Sequence, residues 1–389
     1  MDELPQLITS IIIIFEIVHK FTNNLCIFGE TYYEMSHDFK TLSLSFTAGV
    51  AIAVLFPPPH PILASAAVVY SSLAATLYYS KRVHASSIIP YIVLFLLGIN
   101  SYLCSGFGAG LGSVSQNHIV KTALSSFQEA ISRLNLSGEQ TEALATALLT
   151  GDRKLLSAQT ISDFRTAGAS HILALSGLHL GLISAVISKL LAFMGNSPAG
   201  YRIRSIILIV SCLFYSMMTG ASPSVIRAFL FITFHEIAKL SPERANLPLN
   251  CYFCALMIQL MFTPESIISP GFQLSYLAML GIYVIFPRIN GWLPEEKSSG
   301  IAGRIWKCAA LSISCQITTA PAAWLYFRSF PINFLITNII SLPLCELFIC
   351  SCIGCVILDT LGVCPEILKS LTAEAGQALL YCIHVIALL

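Results

Sequence analysis

Residues 333–357 read NFLITNIISLPLCELFICSCIGCVI, and only one of them, Glu346, carries a charge. A helix rises about 1.5 Å per residue and a bilayer core is about 30 Å thick, so this run reads as a transmembrane helix. Working outward, similar runs recur at roughly 41–56, 61–80, 88–105, 171–194, 203–220, 223–240, 247–263, 271–287, 305–325 and 373–389. The sequence therefore predicts an all-α polytopic membrane protein with about 11 transmembrane helices, some broken or kinked. Composition agrees. The chain has 389 residues, of which 56% are hydrophobic and 11% charged, where a soluble domain has about 25% charged. Mean hydropathy is +0.77. So few charges cannot cover a soluble globule, and so much Leu, Ile, Val and Phe excludes disorder. A net charge of +1 gives no broad basic surface for nucleic acid. Any such role must rest on a few placed residues.

The 13 cysteines do not form a disulfide framework, which belongs to short secreted chains. Cys345, Cys350, Cys352 and Cys355 sit inside an apolar run. The CxxC spacings at Cys251/Cys254 and Cys352/Cys355 lack the nearby His or charged turn of a metal or redox motif. They read as small membrane-helix residues. Neither a metal nor a cofactor is expected.

Lys and Arg set the sidedness. Lys81 and Arg82; Arg202 and Arg204; Lys239 and Arg244; and Arg288, Lys297, Arg304 and Lys307 all fall in alternate connections. These connections share one side, the cytoplasm by the positive-inside rule, which puts the N-terminus inside. Asp2 and Glu3 stand where a signal peptide needs positive charge, so 1–30 is expected to hold an interfacial helix. Residues 41–105 then carry the first spans. Residues 106–170 fall outside as an amphipathic helical segment packing on the bundle. Leu124, Phe127, Ile131 and Leu134 recur at helical spacing there. Ser137 with Gln140 resembles a capping box, and Gly151 suits a helix stop. Gly106, Gly108, Gly110 and Gly112 read as a linker rather than a phosphate loop. Residues 171–389 form the main transmembrane domain.

Polar side chains at membrane depth are costly and tend to face a cavity or a partner. His171 and His179 bracket HILALSGLH, and on a continuous helix they would share a broad face. Ser176, three residues before His179, is within reach of it. Two readings stay open. One is a Ser–His hydrolytic pair. The other is a helix break at small residues, with His179 facing an aqueous path. Arg227 follows a turn and a helix start, Gly220-Ala-Ser-Pro223, about one turn inside the membrane. It snorkels outward, pairs with a carbonyl, or presents a cation suited to phosphate. Gln273, Asn333 and Asn338 add amides at other helix starts. Pro321 is expected to kink its span.

Four blocks carry a resemblance: Phe164–Gly181 (FRTAGASHILALSGLHLG), Gly220–Ala228 (GASPSVIRA), Pro270–Gly281 (PGFQLSYLAMLG) and Thr319–Pro343 (TAPAAWLYFRSFPINFLITNIISLP). In this order they resemble the membrane domain of the ComEC-type competence proteins, the DNA-uptake channels of the bacterial inner membrane. The resemblance implies transport of single-stranded DNA during natural transformation, with His171, Ser176, His179, Arg227, Gln273 and Asn338 along the path. Phe272, Tyr276 and Tyr326 are expected to stack on bases. It also implies a surface DNA receptor and a cytoplasmic helicase or strand-binding proteins as partners. The chain departs from the family in two respects. Residues 106–170 show no barrel of strands, and the nine histidines contain no HxHxDH-type pattern. Nuclease activity is therefore not carried over, and a separate metallo-β-lactamase-like protein is expected to supply it. The chain is expected to be a channel rather than an enzyme, and either a truncated or a divergent member. A small-solute secondary transporter is the competing class, though the two matching repeats it should show are not seen.

Overall fold

The computed structural model describes residues 32–56, 89–105, 118–194, 197–239, 248–293, 300–328 and 333–388. Among these residues the chain is helical and holds no strand. The helices are α1 Tyr32–Leu55, α2 Ile89–Ser105, α3 His118–Arg133, α4 Glu139–Thr150, α5 Ala158–Thr166, α6 Ser170–Leu173, α7 Gly177–Leu190, α8 Pro198–Met218 and α9 Pro223–Lys239. They continue with α10 Pro248–Phe262, α11 Pro270–Val284, α12 Phe286–Asn290, α13 Ile301–Phe327, α14 Phe334–Thr360 and α15 Glu366–Ala387. Proline stands in the first turn of α8, α11 and α12, where its missing N–H is no loss.

Among the described residues four segments are long and apolar enough to cross a membrane: Gly177–Met194, Ala199–Met218, Ala302–Phe327 and Phe334–Thr360. This is fewer than the eleven expected from the apolar runs. The expected run at 61–80, the helix within 1–30 and the glycines at 106–112 lie outside the described residues. Part of the remaining difference is one of length, and α15, at 22 residues, is long enough but not apolar enough. Helices α10 and α11 have 15 residues each, which is about 22 Å at 1.5 Å per residue. An apolar run in sequence includes the turns at its ends, whereas the helix does not. Helices α13 and α14 are assigned without interruption across Pro321 and Pro343. The break falls instead inside 171–194. Ala174 and Ser176 are extended, so His171 lies on α6 and His179 on α7. The shared helical face expected for the two rings does not form.

The segment before α7 is more deeply built in than its expected amphipathic character implies. In α4, Thr141 and every residue from Ala143 to Thr150 are buried. Leu144, Leu148, Phe164 and Leu173 share one core with Phe348, Ile349 and Cys352 of α14 and Leu379 and Ile383 of α15. Tyr215 of α8 donates to the Leu149 carbonyl at 2.7 Å. The expected capping box does not form. The N-cap is Gly138 at φ 104, with no side-chain cap. Gln140 Oε1 instead accepts from the Ser157 N–H at 3.1 Å and the Thr160 hydroxyl at 3.2 Å. Gly151, at φ 82, closes α4 as the sequence predicts.

Two further cores complete the bundle. Phe46 and Val50 of α1 pack with Tyr252, Phe253 and Leu256 of α10 and with Phe272 of α11. Leu180 of α7, Cys212 of α8 and Val225 of α9 form the other, with Val120 of α3.

Candidate functional site

The break before α7 places the first pair of polar residues. Ser176 is the N-cap of α7, and its hydroxyl accepts from the Leu178 N–H at 3.3 Å. His179 Nδ1 accepts from the Ser176 N–H at 3.1 Å and lies 3.0 Å from Ser176 Oγ. The imidazole here takes the role that Glu or Gln fills in a capping box. His179 is 1% exposed, and its Nε2 has no hydrogen-bond partner among the described residues. A Ser–His hydrolytic pair needs a group that orients the far nitrogen. None is present among the described residues. His171 is near enough for the two rings' charges to interact. Its Nδ1 donates to the Gly168 carbonyl at 3.2 Å. Near the start of α14, the Thr337 hydroxyl donates to the Ala167 carbonyl just before α6 at 2.5 Å, and Asn338 donates to Ser312 Oγ at 3.2 Å.

Gly177 leads from this pair to α9. A Cβ on Gly177 would lie 3.2 Å from the Ala228 Cβ. Next to Ala228 is Arg227, 5% exposed and buried between helices. Its guanidinium lies 5.2 Å from the centre of the Tyr276 ring and points back along α9 to the Ser224 carbonyl at 3.5 Å. This matches the tilt of helical side chains toward the N-terminus. Tyr276 donates to Gln259 Oε1 at 2.9 Å, and Gln259 Nε2 donates to the Pro223 carbonyl at 3.1 Å. The Ser224 hydroxyl donates to Ser275 Oγ at 3.3 Å. Gln259, Tyr276 and Arg227 thus tie α10, α11 and the start of α9 together.

Gln273 stands apart from the buried cluster. It donates to the Ile267 carbonyl at 2.9 Å and accepts from the Tyr326 hydroxyl at 2.9 Å. Of the three aromatics expected to stack on bases, only Tyr326 is exposed, at 42%. Phe272 and Tyr276 are each 4% exposed and lie against one another with ring centres 4.6 Å apart. They belong to the core and have no free face for a base. Gln259 is legible in the sequence as an amide at membrane depth, but its link through Tyr276 to Arg227 is made only by folding.

These contacts gather the starts of four helices at one end of the bundle. Thr337 of α14 meets the Ala167 carbonyl just before α6 and α7, Gly177 of α7 meets α9, and Ser224 of α9 meets Ser275 of α11. Each helix start carries partial positive charge from its unpaired N–H groups. A charge at bilayer depth costs about 2.5–3.5 kcal/mol on insertion scales, and Arg227 and Glu236, both on α9, are buried charged side chains of this apolar chain, each 5% exposed. Among the described residues no three His, Cys, Asp or Glu side chains are gathered for a metal ion.

Comparison with known proteins places this cluster in a family. A family model described as "Competence protein" matches residues 148–388, more than half of the chain. This chain belongs to the competence protein family. It is 26% identical over 234 residues to ComE operon protein 3 of Bacillus subtilis, covering 60% of this chain and 27% of that protein. It is 29% identical over 244 residues to an uncharacterised protein of Aquifex aeolicus, covering 61% of this chain and 52% of the other. It is 25% identical over 260 residues to competence protein ComA of Neisseria gonorrhoeae, covering 62% of this chain and 35% of that one. The matches thus cover about a quarter to a half of each relative's length. No solved structure matches. The matched segment contains His171, Ser176, His179, Arg227, Gln273 and Asn338.

Proposed function

We propose that this chain forms the route by which one DNA strand crosses the bacterial inner membrane during natural transformation. The observation that carries this reading is the buried, polar meeting of four helix starts inside the segment matched to the competence family. A strand crossing an apolar bundle must have its phosphates hydrated or neutralised. Helix N-termini and Arg227 supply positive potential where little other charge exists. In this reading the chain is a channel rather than an enzyme. The motive force comes from a cytoplasmic helicase or strand-binding proteins, a surface receptor delivers the DNA, and a separate metallo-β-lactamase-like protein removes the other strand. Ser176 and His179 support the reading by using their hydrogen bonds to start α7, which leaves the hydroxyl engaged as a cap.

The test is a strain lacking this chain, complemented with the wild type. Transformation frequency is expected to fall by at least a hundred-fold and to recover on complementation, while binding of duplex DNA at the cell surface is unchanged. A strain that transforms normally without this chain would remove the uptake role.

A further inference from the structure

Arg227 is a buried cation that has no counter-charge among the described residues. No ion pair involves it among the described residues, and its Nη1 has no hydrogen-bond partner there. The acids on α9 and on the turn before α11 do not serve it: Glu236 accepts from the Ser205 hydroxyl at 2.8 Å, and Glu265 is exposed. What surrounds the guanidinium is itself donor-rich. Ser222, at the start of α9, has a buried hydroxyl that also lacks a partner among the described residues. Arg227 folds back toward this same first turn, where it reaches the Ser224 carbonyl. The Tyr276 ring beneath the guanidinium holds it in place without neutralising it. The first turn of α9 thus holds a buried guanidinium N–H and a buried hydroxyl that are both unbonded among the described residues, beside the positive end of a helix, and an anion there would satisfy all three.

From this arrangement we infer that the start of α9 is a phosphate seat, with Arg227 and Ser222 as its donors and a phosphodiester as its ligand. The guanidinium fork matches two phosphate oxygens, and the helix N-terminus adds its dipole. The inference rests on the channel reading for its biological ligand, a phosphate of the translocated strand. Its chemistry is shared by free phosphate and by an anionic lipid headgroup.

The test uses the purified full chain in nanodiscs of phosphatidylcholine and, separately, of phosphatidylcholine with phosphatidylglycerol. Thermal midpoints are measured in chloride and in inorganic phosphate at equal ionic strength, and with a short oligothymidylate. In phosphatidylcholine discs, phosphate and the oligonucleotide are expected to raise the wild-type midpoint above its value in chloride. Arg227→Gln is expected to lose that rise while its midpoint in chloride stays equal or higher, because a lone buried charge has gone. Arg227→Lys keeps the charge but loses the fork, and is expected to need at least ten-fold more phosphate for the same rise. Exposed Arg304 gives the control: Arg304→Gln should respond like the wild type. Equal midpoints in phosphate and chloride for the wild type would overturn the inference, and so would an unchanged phosphate response in Arg227→Gln. A lower chloride midpoint with an intact phosphate response would make Arg227 a structural residue. Stabilisation by phosphatidylglycerol that neither phosphate nor oligonucleotide reproduces would assign the cation to lipid and overturn the phosphodiester. Failure here is separable from failure of the channel reading, since deletion of the whole chain can abolish uptake whether or not this seat exists.

Discussion

At the scale of single residues, Ser176 is the most discriminating position. Its hydroxyl caps α7 through the Leu178 N–H, and its own N–H is held by His179 Nδ1. Removing an N-cap hydroxyl costs about 1 kcal/mol. Asn caps a helix about as well as Ser but cannot act as a nucleophile. Ser176→Ala is therefore expected to lower the thermal midpoint by a few degrees and transformation by less than ten-fold, whereas Ser176→Asn should restore both. Loss of transformation in both variants at unchanged stability would instead support a chemical role for the hydroxyl. The spacing of Ser176 and His179 was legible because a three-residue separation is local. The partners of Arg227 were not. Gln259 and Tyr276 lie one and two helices further along the chain, and nothing in their own neighbourhood distinguishes them from packing residues. Phe272 and Tyr276 mark the opposite limit. Aromatic character suggests stacking, but only the fold shows that their faces are already covered.

At the scale of helices, serines and prolines announced the starts of α4 and α9, which begin within two residues of those signals. What the sequence could not separate was the length of an apolar run from the length of the helix inside it. Close helix contact was also hidden, because it depends on which glycine meets which backbone. Gly49 of α1 faces the Phe95 carbonyl of α2, and Gly98 of α2 faces the Phe46 carbonyl of α1. The pairing is reciprocal, and a Cβ at either position would overlap a backbone oxygen, which cannot move aside like a side-chain tip. Small residues at such crossings allow helices to pack backbone to backbone. Gly354 of α14 gives the contrast, with nothing within 4 Å of an added Cβ. Thermal unfolding in detergent should show Gly49→Ala and Gly98→Ala each well below the wild type, with the double variant less than additive because both act on one contact. Gly354→Ala should be neutral or slightly stabilising, since Ala is the better helix former by about 1 kcal/mol. Equal effects at all three positions would mean that the α1–α2 contact is not formed.

At the scale of the whole molecule, the two ends of the bundle differ in kind. One end gathers the starts of α7, α9, α11 and α14 with the buried polar cluster. Arg288 on α12 and Arg304 and Lys307 on α13 lie toward the other, where Trp306 of α13 donates to the Asn290 carbonyl at the end of α12. Flanking Lys and Arg are retained in the cytoplasm during insertion. The polar cluster should therefore open away from the cytoplasm, the side from which a strand would arrive under the proposed function. Residues 153 and 304 report on the two sides, since both side chains are exposed. In a background with all native cysteines replaced, Arg153→Cys should react with a membrane-impermeant maleimide in intact spheroplasts. Arg304→Cys should react only after lysis. The reverse pattern would invert the molecule, turn the four helix starts toward the cytoplasm, and make Arg227 an exit contact for the strand rather than an entry one. Labelling of both residues in intact spheroplasts would instead rule out a bundle that separates two compartments along this axis, because the only route between the two positions would then be water.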